Sequence, residues 1–236
     1  MGAFLSGANA SSFIIACPYH HTLPDDPIVY PGQPGASHSH DFFGNTTTDA
    51  YSTADSMHAG STTCANKGDL AGYWVPSAYL NGSRLMPSRV KAYYYRKVSG
   101  TLTPFPDGFQ MIAGNAHATG TQSTKVVYFG CGNGSGISKK TAPPDCTGHS
   151  SFLEVHVLFP DCWDGGTGLA YSTMNGGSCP AAYPTHFPQL VQAVIYPSSN
   201  ADFRGVYFAS GPSYTMHADY FSIWQPGVLE GLVGSL

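Results

Sequence analysis

The chain has 236 residues, of which 10% are charged, and its formal net charge is −4 with ten Lys plus Arg. Soluble domains usually have about a quarter charged residues, and the abundance of Gly (28), Pro (18), Tyr (15) and Phe (13) favours a compact, β-rich protein over a helical or disordered one. So few cations argue against a nucleic-acid partner, and no segment approaches the roughly 20 apolar residues of a membrane span.

Short β-branched or aromatic runs bounded by Gly, Pro, Asn or Ser predict strands along most of the chain. The predicted strands are Phe13–Cys17, Val90–Lys97, Lys125–Cys131, Leu153–Phe159, Leu190–Tyr196 and Gly205–Ser210. Helical spacing is limited to two short segments: one around Trp74–Asn81, which fits a helix or only a turn, and the tail Gly227–Leu236. We therefore expect one domain over residues 1–236, a mainly β, antiparallel β-sandwich or jelly-roll-like fold with long loops and a few short helices. Residues 1–10 do not resemble a signal peptide, and we expect them to be flexible or an added start.

Six cysteines form an even set without a Cys-x-x-Cys pair, which favours disulfides over a zinc finger or a redox motif. They are Cys17, Cys64, Cys131, Cys146, Cys162 and Cys179. Sequential pairing closes modest loops, but six cysteines allow 15 connectivities and the sequence does not choose among them. Together with sequons at Asn9, Asn45, Asn81 and Asn133, the cysteines predict a secreted glycoprotein.

The segment after the turn Pro31–Gly35 carries His38, His40 and Asp41 within four positions. On an extended segment, residues i and i+2 point to the same side about 6.6 Å apart, so the two imidazoles are able to converge on one metal ion or one substrate oxygen. Asp41 then faces the other way unless the turn bends it back. The segment is a candidate metal half-site or acid/base cluster, or alternatively a structural pair of histidines.

A similar pattern lies near the end of the chain, where His217 and Asp219 form a second same-face pair. A carboxylate beside a histidine holds its tautomer and raises its basicity, although the pair is also suited to fixing strand register. Two such elements, separated by most of the chain, are expected to form two walls of one site.

Other aromatic and polar residues are candidates for binding a sugar. Trp163 suits stacking on a pyranose, and the neighbouring Asp164 is a further candidate carboxylate, although the pair also fits a disulfide-anchored turn. The remaining candidates for lining a substrate cleft are Trp74, Arg96, Tyr95, Phe42 and His156, which in so aromatic a chain are equally suited to the core.

Several blocks of the sequence resemble the DUF1996 family of secreted fungal and bacterial proteins. The matching blocks are Asp26–Val29, the run from His38 to Asn45, Ser61–Cys64, Tyr73–Pro76, Tyr94–Arg96, Pro106–Gly114, Phe159–Gly165 and His217–Tyr220. The resemblance implies a secreted protein associated with cell walls, and it implies no particular activity.

Three functions fit these residues. The first is an extracellular enzyme, a hydrolase or lyase, that cleaves a polysaccharide or cell-wall glycan. Its candidate carboxylates are Asp41, Asp164 and Asp219, since glycoside hydrolysis needs two carboxyl groups about 5 to 9.5 Å apart. On this hypothesis Asp41→Asn or Asp219→Asn abolishes turnover and preserves the fold.

The second function is a zinc, copper or iron site held by His38, His40 and His217, with Asp219 or Asp41 as a further ligand or a supporting group. The third is a non-catalytic protein that binds glycans or forms part of a cell wall. Its low charge and many aromatic residues fit this function as well as they fit the enzyme. The clustering of His and Asp favours the enzyme over the non-catalytic protein. A bound metal is compatible with both. The sequence indicates no oligomeric state.

Overall fold

The computed structural model describes residues 11–132, 137–148, 152–172 and 177–236, which form a mainly antiparallel β structure. In chain order the strands are β1 (Ser12–Leu23), β2 (His40–Gly44), β3 (Gly72–Pro76), β4 (Ala78–Leu80), β5 (Ser83–Leu85), β6 (Arg89–Tyr95), β7 (Gln110–Gly114), β8 (Val127–Gly132), β9 (Phe152–Leu158), β10 (Cys162–Trp163), β11 (Leu169–Ala170), β12 (Thr185–His186), β13 (Gln189–Ser199), β14 (Val206–Phe208), β15 (Gly211–Pro212) and β16 (His217–Phe221). The helices are α1 (Ala54–His58), α2 (Val228–Gly234) and a 3₁₀ turn at Ser213–Thr215.

One long strand joins the two halves of the main sheet, whose order is β7-β16-β3-β2-β1-β6-β13-β9-β8. The first part of β1 pairs with β6 and its last part pairs with β2, with a register shift between Tyr19 and His21. This bulge lets β1 pass from one half to the other, as strands do at the corners of sandwiches. We call β7-β16-β3-β2 the first layer and β6-β13-β9-β8 the second layer.

The two layers pack face to face and enclose the main core. Tyr73 and Tyr220 of the first layer and Tyr94 and Val155 of the second are all fully buried in one cluster. The Tyr73 and Tyr94 hydroxyl groups lie 2.7 Å apart across the interface. The fold is therefore an antiparallel β-sandwich, as the sequence predicts.

The sequence-predicted strands of the second layer are confirmed, and so is the C-terminal helix. The predicted helix at Trp74–Asn81 is wrong, because these residues form the end of β3 and all of β4. The first-layer strands β2, β3, β7 and β16 are not among the predicted ones. β2, β3 and β16 are buried along their whole length, so they lack the polar alternation that marks a half-exposed strand.

Three disulfides tie the loops to the sandwich. They are Cys17–Cys64, Cys131–Cys146 and Cys162–Cys179, the sequential pairing. Closing loops in this way reduces the conformational entropy of the unfolded chain. The disulfides therefore stabilise long connections that contain little regular structure.

The sequons differ in their accessibility. Asn45 is fully buried, and its Nδ2 donates to the carbonyl oxygens of Met57 and Leu70, both at 2.8 Å. The folded protein therefore has no room for a glycan there, contrary to the sequence expectation. Asn81 is exposed in a turn, and Asn9 and Asn133 lie outside the described residues.

Among the described residues, no helix is long and apolar enough to cross a membrane.

Candidate functional site

The outer face of the first layer carries a cluster of polar residues. Strand β3 lies between β2 and β16, with His40 opposite Pro76 and Asp219 opposite Trp74. Because residues directly opposite each other share a face, His40 and Asp219 point to the same side of the sheet. His217, two residues before Asp219, points there as well.

Three imidazoles converge at this point. Nε2 of His217 lies 3.3 Å from Nε2 of His38 and 3.4 Å from Nε2 of His40. A tetrahedral ion with metal–nitrogen bonds of about 2.0–2.1 Å separates its ligand nitrogens by about 3.3 Å. The spacing is therefore that of ligands around one metal ion.

Two of the histidines have their tautomers set by the backbone. Nδ1 of His40 lies 2.9 Å from the carbonyl oxygen of Asp25, and Nδ1 of His217 lies 3.0 Å from that of Thr215. Since a carbonyl only accepts, each Nδ1 carries the proton and each Nε2 presents a lone pair to the centre. Metal-binding histidines are typically oriented in this way.

Burial keeps these histidines neutral. Loss of solvent lowers the pKa of His217 to about 4, and it lowers the pKa of His40 well below its usual value, with a further contribution from the other histidines of the cluster. The pKa of His38, which is partly exposed, is also lowered by burial. A neutral imidazole is the form that binds a metal.

Two carboxylates complete the cluster. Asp219 is fully buried, its Oδ2 lies 3.9 Å from Nε2 of His217, and neither of its carboxylate oxygens has a hydrogen-bond partner among the described residues. One carboxylate oxygen of Asp26 lies within 4.8 Å of ligand atoms of both His40 and Asp219. Oδ1 of Asp26 accepts from the backbone N–H groups of residues 28 and 29 at 2.9 and 3.1 Å.

A bound cation would offset the cost of ionising the buried carboxylates of the cluster. Burial raises the pKa of Asp219 well above its usual value, with the charge of Asp26 adding to the effect, and burial also raises the pKa of Asp26. The described residues that line the adjoining cavity include neither Lys nor Arg. A divalent cation bound among the three neutral imidazoles would favour the ionised form of both carboxylates and balance their charge, so these five residues form a candidate metal centre.

A solvent-connected cavity of ≈ 310 Å³ adjoins the cluster. Its walls are mainly neutral and polar or apolar, and the lining residues other than the cluster are Val29, Tyr30, Ser37, Ile112, Gly114, Asn115, Ala116, His117, Ser210. A ligand in this cavity is able to reach both the histidines and the carboxylates.

The outer face beside the cluster is apolar. Phe42 and Trp74 are fully buried, and their ring centroids lie 5.7 Å apart in a stacked arrangement. They belong to a second hydrophobic cluster that also contains Met57 of α1 and Phe221. Phe42 and Trp74 therefore lie next to the site on the same face of the sheet, and they are not accessible for binding substrate, contrary to the sequence expectation.

Asp41 lies on the opposite face of β2 from His40, within the sandwich. Its Oδ1 accepts from the hydroxyl of Thr22 at 2.7 Å and from that of Ser77 at 3.2 Å, and it forms a close ion pair with the guanidinium of Arg84. Neighbouring residues of a strand point to opposite faces. The structure therefore does not bring Asp41 together with the histidines, and its contacts lie within the sandwich.

Trp163 and Asp164 do not line this cavity. The Trp163 ring stacks on Phe187 with centroids 5.5 Å apart, and its Nε1 donates to the carbonyl oxygen of Gly166 at 2.8 Å. Asp164 accepts from the backbone N–H groups of Gly166 and Gly168. The pair forms the turn that follows β10.

Tyr95, Arg96 and His156 also lie away from the cavity. Tyr95 and His156 are on the outer face of the second layer, where Nε2 of His156 lies 2.9 Å from a carboxylate oxygen of Glu154. Arg96 follows β6 and donates to the carbonyl oxygens of Leu236 and Gly100. Of the sequence-predicted residues, the structure thus groups only His38, His40, His217 and Asp219.

Sequence reasoning did not assign Asp26 or His117 to the site. Asp26 lies in one of the blocks that resemble the family, but nothing in its spacing links it to His40. His117 lies three residues after Gly114, which pairs with His217. Gly114 has φ +84°, and a Cβ there would lie 2.6 Å from the carbonyl oxygen of Met216. Only glycine therefore allows the chain to turn at this point and place His117 on the cavity wall.

Comparison with known proteins gives a family and no described activity. No curated protein and no solved structure matches this chain. The family model described as "Domain of unknown function (DUF1996)" matches residues 26–224, a range that contains every residue of the candidate metal centre. The chain belongs to the DUF1996 family.

Proposed function

We propose that this protein is a secreted, metal-dependent enzyme that cleaves a polysaccharide at the cavity beside His38, His40 and His217. The observation that carries the proposal is the convergence of three neutral imidazole nitrogens beside two buried carboxylates. Such a ligand set is typical of zinc, copper, iron or manganese centres.

A divalent ion at this position would polarise a bound water molecule or a substrate oxygen. His40 and His217 are rigid ligands, because strands hold their backbones and carbonyl groups hold their Nδ1 atoms. His38 lies on the loop before β2 and is partly exposed, so it borders the side from which a substrate enters.

Proton transfer needs a group beside the metal centre. Oδ1 of Asp26 is occupied by two backbone N–H groups, which leaves Oδ2 to accept a proton from an attacking water molecule or from a sugar carbon. His117 is exposed on the cavity wall and is able to exchange a proton with the leaving group. The two residues are placed for the base and acid roles of a hydrolase or lyase.

The cavity chemistry supports a sugar substrate. Tyr30, Asn115 and Ser210 offer a ring face and neutral hydrogen-bonding groups, which suit hydroxyl groups. Three disulfides support an extracellular setting, where polysaccharides are accessible substrates.

The test combines metal analysis with a screen for activity. Protein purified without chelator is analysed for bound metal as wild type, as His38→Ala/His40→Ala and as Asp219→Asn. A variant of an exposed histidine on α1, His58→Ala, is the control for loss of an imidazole. We expect about one equivalent of metal in wild type and in the control, and a large loss in the other two variants.

The same proteins are then incubated with a panel of polysaccharides, and new chain ends are measured. We expect release of products by wild type and by the control alone. Metal that remains in His38→Ala/His40→Ala, or products released equally by that variant, would refute the proposal.

A further inference from the structure

A second surface lies on the outer face of the second layer, on the other side of the sandwich from the metal centre. Arg89, Lys91, Tyr93 and Tyr95 alternate along β6 and point outwards, because Val90, Ala92 and Tyr94 between them are buried in the core. Through the register of β6, β13, β9 and β8, Tyr128 lies on the same face. We name Arg89, Lys91, Tyr93, Tyr95, Lys97, Tyr128 and Lys139 the basic tyrosine face.

Two lysines of this face, Lys97 and Lys139, lie at its border. Nζ of Lys97 lies 4.8 Å from the ring centroid of Tyr95, and Nζ of Lys139 lies 4.6 Å from that of Tyr128. Both lysines are exposed. Cation–π contacts of this kind hold an ammonium group in place without neutralising it.

The face has an excess of positive charge in a protein of net charge −4. It holds four of the ten Lys and Arg residues. None of the four forms an ion pair within the part of the chain that the structure describes, whereas Arg84 and Arg204 do. The only carboxylate in strands β6, β8, β9 and β13 is that of Glu154, which is buried and paired with His156. Glu154 lies on the same face as these cations, opposite Ile195, which is itself opposite Arg89. The four cations outnumber this one carboxylate, which leaves an excess of positive charge for an anion from solution.

The aromatic groups add a second kind of contact. The Tyr93 and Tyr95 rings stack with centroids 5.6 Å apart and an angle of 1° between their planes. Tyrosine presents both an apolar ring and a hydroxyl group, so alternating cations and tyrosines offer partners for carboxylates, sugar hydroxyls and apolar sugar faces. Residues i and i+2 of β6 repeat about every 6.6 Å, which gives a row of contacts suited to an extended polymer.

We propose that the basic tyrosine face binds a carboxylate-bearing polysaccharide, a polyuronate, and so anchors the protein to it. The face itself indicates a polyanion. The choice of a polysaccharide among the polyanions rests on the proposed function. Charge complementarity favours a polymer with one carboxylate per sugar over a nucleic acid, because four spaced cations on a protein of net negative charge are few for a phosphate backbone.

The experiment measures binding of the purified protein to polygalacturonate by affinity electrophoresis at low salt. Fully methyl-esterified polygalacturonate has the same backbone without the charges, and single-stranded DNA serves as a polyanion without carboxylates. Lys91→Gln and Lys97→Gln remove cations from the face. Lys67→Gln is the matched control, since Lys67 follows the Cys64 loop and contacts the carbonyl oxygen of Thr62.

We expect binding to polygalacturonate, at least about tenfold weaker binding to its methyl ester, and a loss of about tenfold for each face variant but not for Lys67→Gln. Added salt weakens the binding by screening. Equal binding to both polymers, equal loss in the control, or tighter binding to DNA would overturn the proposal. Unchanged melting temperatures show that the variants fold.

The outcome is separable from that of the proposed function. His38→Ala/His40→Ala removes the metal centre and is expected to keep the affinity for polygalacturonate. Loss of binding in that variant, with its fold intact, would place the polymer at the cavity and not on the basic tyrosine face.

Discussion

His40 and His217 are separated by 177 positions in the chain, yet their Nε2 atoms lie 3.4 Å apart, and each Nδ1 lies within 3.0 Å of a backbone carbonyl oxygen. Two lone pairs at this distance repel each other unless a cation lies between them. The strands β2 and β16 hold the rings in place through the rest of the sheet. The arrangement is therefore suited to a bound ion and is unfavourable without one.

Removal of the metal is expected to lower the stability of the protein. A ligand that binds only the native state stabilises it by about 4 kcal/mol at a concentration 1,000 times its dissociation constant. Melting followed by circular dichroism should give a lower melting temperature after treatment with a chelator. His38→Ala/His40→Ala should melt at the same temperature with and without chelator. If wild type retains its metal yet chelation leaves its melting temperature unchanged, the ion is not at this centre.

Asp41→Asn is expected to destabilise the fold and to leave the metal centre intact. The change removes the charge that pairs with Arg84 inside the sandwich, and breaking such a buried pair costs about 3 kcal/mol. The sequence had suggested the reverse, a loss of turnover with an intact fold. Urea unfolding and metal analysis of the variant decide between the two. A fully stable variant with no activity would restore the catalytic interpretation.

His117→Gln is expected to lower turnover without a loss of metal. The side chain lies on the cavity wall and is not among the convergent ligand atoms. A group that transfers a proton contributes typically about 10²–10⁴-fold to a rate. The measurement is turnover on the polysaccharide identified by the screen, together with metal content. A parallel loss of metal would instead make His117 a ligand.

Asp69 is expected to make stability depend on pH. It is fully buried beside the hydroxyl of Tyr73, and burial raises its pKa to about 7. The native state therefore holds the proton more tightly than the unfolded state, and stability falls as the pH rises from about 4 to about 7. Three pKa units correspond to at most about 4 kcal/mol.

The free energy of unfolding of wild type and Asp69→Asn, measured between pH 4 and pH 8, tests this prediction. The variant should lose the part of the decline that Asp69 contributes, because its amide does not ionise. Asp55→Asn, at an exposed position of α1, is the control and should keep the wild-type profile. Identical profiles for wild type and Asp69→Asn would contradict the assignment.

The second-layer strands could be predicted from the sequence because they are short runs rich in β-branched and aromatic residues, and β6 also alternates between buried and partly exposed positions. In β9 the predicted alternation holds for the direction of the side chains but not for their exposure, because Glu154 and His156 are buried as well as Val155 and Val157. The first-layer strands β2, β3 and β16 were missed because both of their faces are covered and no alternation marks them, whereas β7 was missed although it alternates. Trp74, assigned to a helix by its spacing, lies instead in the middle of β3.

The sequence by itself determined the β-rich class, the family and the two His/Asp pairs, because these depend on composition and on residues close together in the chain. Only the tertiary structure decided that His38, His40 and His217 meet and that Asp26 joins them while Asp41 does not. Strand order and register determine which distant residues share a face, and both are set by the packing of the whole sandwich. The same register gathers the cations of β6 on the opposite side of the protein.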